Sequence, residues 1–332
     1  MTPGRRRSLA ILYPGLKGVV LLGVLASAMV AQSPPEGHFP GAEGVRLSYR
    51  IVGEGRDTVV LIHGGPGTGM REGYDFDQLA ELGHAILMYD QRGTGNSELV
   101  SAAARLTLAS HVADLEALRR HFRFRRLSLI GLSWGSAIAL HYGIAYPGSL
   151  DRVIFLSPMP PTGRFFVQRF ARLDALRTPE TRARLRTIDS LWMLAPDEDL
   201  PALCRESFHT SGALYQEGDR EGRGDVCDYP PQVLRHRRIA RVAALTALGA
   251  EFDFTSALRR LSRLALVVEG ERSNIPLEAT RFWARNALES RLLLIAGAGH
   301  RTWLDQPAQL FTAMDAFLRG QWPQGSVEVR SE

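Results

Sequence analysis

From residue 45 onward, short apolar runs alternate with segments whose apolar residues recur at helical spacing. Residues 45–52, 58–62, 85–89, 127–130, 153–156, 264–268 and 292–295 read as strands. Several of these are apolar throughout rather than at every second position. Successive strand side chains point to opposite faces, so a continuously apolar strand belongs to a sheet covered on both sides. Segments 106–120, 134–146, 278–287 and 308–318 read as helices, the first with its apolar residues along one side. Strand and helix in alternation predict an α/β fold with a mostly parallel central sheet and helices on both faces.

The alternation stops between residues 160 and 257. Helical stretches at 165–176 and 180–191 are followed by a Gly-rich, charged segment at 218–225, with no strand pattern. An insertion of this length cannot all be loop. It reads as a helical cap over the carboxyl ends of the strands, where such sheets bind ligands. The predicted organisation is a core in two parts, 32–159 and 258–320, a cap at 160–257 and a tail at 321–332.

The first 31 residues follow a different pattern. Arg5, Arg6, Arg7 and Lys17 precede an apolar run at 18–31 and then Gln32-Ser33-Pro34-Pro35, the order of a secretory signal. The run is short for a bilayer crossing, which takes about twenty residues; with residues 9–16 added it would suffice for a retained anchor. Residues 1–31 therefore read as a signal peptide or N-terminal anchor. They predict a periplasmic or secreted protein, or an anchored one facing away from the cytoplasm, whose membrane contact is confined to this segment. Cleavage after Ala31 removes four of the 40 Lys and Arg residues and none of the 35 Asp and Glu, taking the net charge from +5 to +1. The basicity thus lies in the leader, and no basic face with a reading motif argues for a nucleic-acid partner. The arginines at 164, 169, 172, 177, 182, 184 and 186 read as a solvated helical face. Cys204 and Cys227 are the only cysteines; an exported chain permits a disulfide between them, with buried or free thiols as the alternative. No Cys and His spacing suggests zinc, and no metal or organic cofactor is expected.

Gly131-Leu132-Ser133-Trp134-Gly135 is the G-x-S-x-G pattern that sets a serine on a sharp strand-to-helix turn with its hydroxyl exposed. A serine hydroxyl is a poor nucleophile until a base takes its proton and donors receive the oxyanion. His300, in Gly297-Ala298-Gly299-His300 after the last strand, is the candidate base. His63-Gly64-Gly65-Pro66-Gly67 follows the second strand, and glycines there expose backbone N–H groups. The oxyanion hole is expected from Trp134 N–H with Gly65 N–H, or Gly64 N–H. Asp90-Gln91-Arg92-Gly93-Thr94-Gly95 lacks the spacing of a phosphate loop and reads as a structural turn braced by Asp90 and Arg92.

These pieces together resemble the alpha/beta-hydrolase superfamily, and within it the proline iminopeptidase branch, over roughly residues 45–318 and least in the cap. The resemblance implies the alpha/beta-hydrolase fold and a serine hydrolase acting through an acyl-enzyme. It also implies a triad aspartate three residues past Gly270, where this chain has Ser273. A serine cannot hold an imidazolium by charge, so the acid is sought nearby. Glu271 is the first choice, with Glu269 or the neutral Asn274 as alternatives. Removing a triad acid without replacement costs on the order of ten-thousand-fold in turnover, which keeps a non-catalytic or weakly active binding protein in view.

The substrate is a peptide or a small ester. An aminopeptidase needs carboxylates to hold the substrate ammonium, and Glu206, Glu217 and Glu221 are the cap candidates; otherwise an exported carboxylesterase is the reading. Trp192, Phe208 and Tyr215 are expected to form the cap's own core.

Overall fold

The computed structural model describes Met1 and residues 36–55, 58–100, 102–218 and 220–330. The predicted leader lies, Met1 apart, outside the described residues. Eight strands form one sheet: β1 (Glu36–Pro40), β2 (Arg46–Val52), β3 (Thr58–Ile62), β4 (Ala85–Tyr89), β5 (Leu127–Leu132), β6 (Leu150–Leu156), β7 (Ala265–Gly270) and β8 (Ser290–Ile295). Their order is β1-β2-β4-β3-β5-β6-β7-β8. Pairings β1–β2 and β2–β4 are antiparallel, and every pairing from β4 to β8 is parallel. β1 has no counterpart among the sequence-predicted strands, because Glu36-Gly37-His38-Phe39-Pro40 carries little apolar signal; it is held at the edge by pairing with β2.

The parallel strands carry long apolar runs because each face of the sheet has its own core. Val60, Ile62, Leu87, Leu129, Val153, Phe155 and Val267 contribute to one buried cluster, while Val59, Leu61, Met88, Ile130, Ile154, Leu156 and Val268 contribute to the other. Helices Leu108–His121, Trp134–Ala145 and Leu277–Asn286 supply Leu115, Ile138 and Trp283 to the first face. Helix Pro307–Leu318 supplies Leu310, Phe311, Met314 and Phe317 to the second. The tail is tied back to the sheet: Leu292 and Val327 exchange two backbone hydrogen bonds of 2.8 Å.

Between β6 and β7 the chain forms helices Gly163–Leu176, Pro179–Leu191, Leu200–Gly212 and Pro231–Leu248. The first two start at Thr162 and Thr178, whose side chains accept from backbone N–H groups three residues on. Ile188, Trp192, Leu200, Leu203 and Leu234 form a separate small core there. Cys204 and Cys227 lie inside it as a disulfide with S–S 2.01 Å. Among the described residues no helix is long and apolar enough to cross a membrane.

Candidate active site

Ser133 follows β5 directly and has φ 49° and ψ −110°. That region is strained for a side chain with a Cβ, and such strain persists only where surroundings enforce it. Here the enforcement is close packing. A Cβ on Gly131 would sit 2.7 Å from Gly135 O, and one on Gly135 would sit 2.2 Å from Ile62 O. Both glycines are thus required for the helix Trp134–Ala145 to start hard against the sheet. The amide of Ser133 donates to Leu156 O at 3.0 Å, and Ser136 Oγ donates to Gly131 O at 2.7 Å, closing the turn. Ser133 Oγ has no hydrogen-bond partner among the described residues and remains partly exposed. Serine–histidine bonds are often long without substrate.

His300 and Glu269 come from neighbouring strand ends. Gly270 ends β7 in contact with the loop that carries His300: a Cβ there would stand 2.0 Å from Gly299 O. This approach sets Glu269 Oε1 3.8 Å from His300 Nδ1, with both side chains buried. Nδ1 and Glu269 Oε2 have no other partner, while Oε1 accepts the Gly270 N–H at 3.1 Å. Burial pulls the imidazole below its ordinary pKa; Glu269 works against this, and the more distant Arg169 and Arg301 add to it. A ring neutral at neutral pH, with a carboxylate on its Nδ1 side, is the state a general base needs.

The sequence puts Glu271 first for this position; in the structure Glu269, not Glu271, faces His300 Nδ1. β7 ends at Gly270, so Glu271 lies in the turn beyond the sheet and is exposed. Ser273 is turned inward, its Oγ accepting Ile275 N–H at 3.1 Å. Asn274 is committed on both sides, accepting from Arg169 Nε at 3.0 Å and donating to Leu214 O at 2.7 Å. The signal for Glu269 was its place at the end of an apolar strand, where a carboxylate stays buried only with a partner.

Of the expected oxyanion donors, Gly64 is the one the structure removes, because its N–H donates to Glu72 Oε2 at 2.9 Å. Gly65 N–H and Trp134 N–H have no acceptor among the described residues. Trp134 opens a helix, so its amide also carries the positive end of the helix dipole. His63 holds the loop. Its Nδ1–H donates to Gly64 O at 2.9 Å and its Nε2 accepts Gln91 N–H at 3.2 Å, the tautomer fixed by Gly64 O, which can only accept. Burial lowers its pKa to about 4. Gln91 Nε2 returns a bond to His63 O at 2.8 Å and Gln91 Oε1 accepts Trp134 Nε1–H at 3.1 Å. Asp90 accepts the Met70 and Asn96 amides at 2.7 and 2.8 Å, and Arg92 makes a buried two-point pair with Asp114. Both therefore brace loops, as the sequence suggested.

The cap carboxylates do not gather at Ser133. Glu206 pairs with Arg184, Glu217 with Arg272 at 3.3 Å, and Glu221 is exposed. All three sit among arginines and solvent, the ordinary fate of acids on charged helical surfaces. Arg169 departs from the solvated face assigned to it: it is buried and lines the cavity at Ser133. Tyr215 also leaves the cap's core, stacking edge-on to His300 at 5.9 Å between ring centroids. Trp192 does lie in that core, and its Nε1 donates to Leu234 O at 3.1 Å. The cavity at Ser133, bounded by Gly65, Trp134, Met159, Phe166 and Arg169, has a volume of only ≈ 20 Å³. That is room for about one water.

The profile of the alpha/beta hydrolase family matches residues 59–313. The chain belongs to this family. A proline iminopeptidase of Lactiplantibacillus plantarum is 29% identical over 245 residues, covering 68% of this chain and 80% of that one. Among solved structures, the proline iminopeptidase of Mycobacterium smegmatis superposes with a TM-score of 0.68 at 18% identity, covering 86% of this chain and 98% of its own. An esterase from Exiguobacterium antarcticum superposes with a TM-score of 0.65, also at 18% identity, covering 86% and 100%. At such identities the superpositions speak for the fold alone. This alpha/beta hydrolase is a hydrolytic enzyme, and its elbow, glycine loop and late histidine all fall within the matched span.

Proposed function

We propose that this hydrolase is a serine aminopeptidase of the proline iminopeptidase type, with Ser133 as nucleophile, His300 as base and Glu269 as the acid that orients it. The observation that carries the reading is the buried Glu269 carboxylate facing His300 Nδ1. It supplies the charge that Ser273 cannot, and so favours a working enzyme over a binding protein on the same scaffold.

In this reading Ser133 Oγ attacks the substrate carbonyl carbon while His300 accepts its proton, and Glu269 stabilises the imidazolium. The Gly65 and Trp134 amides donate to the oxyanion. His300 then protonates the leaving nitrogen, the C–N bond breaks and an acyl-ester remains on Ser133. Water, deprotonated by His300, attacks the ester and releases the acid. The Cys204–Cys227 disulfide supports an exported location for this activity, since such bonds persist in oxidising compartments.

A fluorophosphonate probe and paired substrates test the proposal. The wild type is expected to label and to cleave an L-prolyl aryl-amide faster than a short-chain aryl ester. Ser133→Ala should abolish labelling and reduce turnover by at least about 10⁴-fold. Labelling that survives Ser133→Ala would sink the mechanism, and ester cleavage without any aryl-amide cleavage would move the enzyme to the carboxylesterases.

A further inference from the structure

Glu72 is a carboxylate that the triad does not use and that stands beside the nucleophile. Its Oε2 accepts Gly64 N–H at 2.9 Å. A Cβ built on Gly64 would lie 3.0 Å from Glu72 Oε2 and 3.3 Å from Ser133 Cβ. The carboxylate and the serine thus face the same side of Gly64, no farther apart than the sum of those two distances. No cation lies within 4.0 Å of Glu72 among the described residues; Arg237 and Arg301 act on it only from farther off. Burial raises its pKa, as it must for an acid with little water and no close counter-charge.

A lone negative charge beside an oxyanion hole is unfavourable for hydrolysis. It repels the oxyanion that Gly65 and Trp134 are placed to receive. The penalty becomes a gain when the substrate brings a positive charge to the same place. In an aminoacyl substrate the ammonium nitrogen is two bonds from the carbonyl carbon, so a carbonyl seated on Ser133 carries its ammonium within a few ångströms, the range separating Ser133 from Glu72.

We propose that Glu72 is the specificity-determining anchor for the free α-ammonium of the substrate, taking the part that sequence reasoning gave to Glu206, Glu217 and Glu221. Together with the narrow cavity this restricts the enzyme to chain ends: an acylated amine brings no charge and leaves the half-buried carboxylate with only the Gly64 N–H and no counter-charge, a costly state. The inference rests on the aminopeptidase reading, but it concerns the charge next to the scissile carbonyl rather than the bond that breaks.

Aryl esters separate the two. L-prolyl aryl ester and its des-amino counterpart, the cyclopentanecarboxylic aryl ester, are compared in the wild type, Glu72→Gln and Glu72→Asp. Glutamine is isosteric and still accepts Gly64 N–H through its amide oxygen, so the loop is retained. The expected result is a loss of about thirty-fold in kcat/KM for the prolyl ester in Glu72→Gln, from a charge-assisted hydrogen bond reduced to a neutral one. The des-amino ester should be unchanged or faster. Glu72→Asp, which keeps the charge, should retain more of the preference for the amine than Glu72→Gln does.

Equal losses on both esters, or an aspartate variant as unselective as the glutamine variant, would reduce Glu72 to a support for Gly64 and overturn the proposal. A wild type that cleaves no aminoacyl amide yet selects amino esters through Glu72 would refute the iminopeptidase reading and leave this one standing. Should the enzyme be inactive on both esters, calorimetric titration with L-prolinamide and cyclopentanecarboxamide decides. Binding of the cationic amide that Glu72→Gln loses supports the anchor, and equal or absent binding overturns it.

Discussion

The sheet and the cap handle charge in opposite ways. In and beside the sheet, several ionised groups are buried against fixed partners: Arg92 with Asp114, Asp90 with two amides, Glu269 opposite His300. In the cap, arginines and carboxylates meet at the surface, as in Arg184 with Glu206, Arg238 with Asp189 and Arg205 with Asp225. Buried pairs fix geometry because breaking one strands a charge in a poor solvent. Surface pairs are screened and exchange partners with water. The sheet is therefore where reacting groups can be held to fractions of an ångström, and the cap is where access can be regulated. Directional hydrogen bonds fasten the two regions together. Arg169 reaches Asn274, Tyr215 O accepts Arg301 N–H at 2.9 Å, and Arg237 donates to Gly67 O and Thr68 O at 2.9 and 2.8 Å in the glycine loop.

The sharpest way to break the comparison is at its most buried pair. Glu269→Gln removes the charge that the proposed mechanism uses to hold the imidazolium while preserving shape, and kcat should fall by about 10³–10⁴-fold. Glu271→Gln, in the exposed turn two residues on, should leave it within about threefold. The pH profile supplies a second readout. In the proposed mechanism the rate needs neutral His300, whose pKa lies below its ordinary 6.5, so kcat/KM should rise with pH along an acid limb whose midpoint lies below 6.5. Glu269 favours the protonated ring, and removing it lowers the His300 pKa further. The acid limb of Glu269→Gln should therefore move to lower pH even as the plateau falls. A limb that stays in place, or moves up, would show that another group holds the ring.

How much of this was legible in the sequence follows from the same contrast. Strands β2–β8 and the helices around them were readable because strands covered on both faces carry apolar runs, as in residues 59–62, 85–88 and 265–268, separated by segments of helical periodicity. The elbow and the glycine loop were readable because only glycine fits where backbones touch, as at Gly131 and Gly135. The carboxylate that faces His300 was not, although Glu269 was among the candidates. Glu269 and Glu271 differ by two positions, and whether a carboxylate ends inside the sheet or beyond it depends on where the strand stops. That point is set by the packing of Gly270 against Gly299 O, a contact between segments 29 residues apart. Glu72 was hidden for a similar reason. Nothing in Met70-Arg71-Glu72-Gly73 indicates that the chain returns to Gly64, whereas the acids of the cap lie within the insertion that the sequence places over the strand ends.

A smaller effect is expected from unfastening the cap. The disulfide joins residues 23 apart, and the segment it encloses includes Tyr215 and Gln216, which pack against Gly299 and His300. Cys204→Ala/Cys227→Ala should lower stability by about 3 kcal/mol in urea unfolding, the scale for closing a loop of this size. It should also raise KM more than it lowers kcat, since the sheet keeps the triad in place while the cap loses its staple. A kcat collapse at unchanged KM would mean that the cap builds the reacting geometry rather than admitting substrate to it.

The least effect should come from Glu206, one of the three cap acids expected from the sequence to hold an amine. Its carboxylate is held by the Arg184 guanidinium, which keeps its pKa below the usual range. The pair sits on the outer surface, where a long arginine side chain loses entropy to hold a screened contact. Glu206→Gln should melt with the wild type and show the same KM for L-prolyl aryl-amide, with the same response to salt in the two proteins. A rise in KM confined to amine-bearing substrates would return the anchoring role to the cap. It would also mean that the cap moves far enough during turnover to carry Glu206 from Arg184 to the serine, which would remake the division of labour between the two regions.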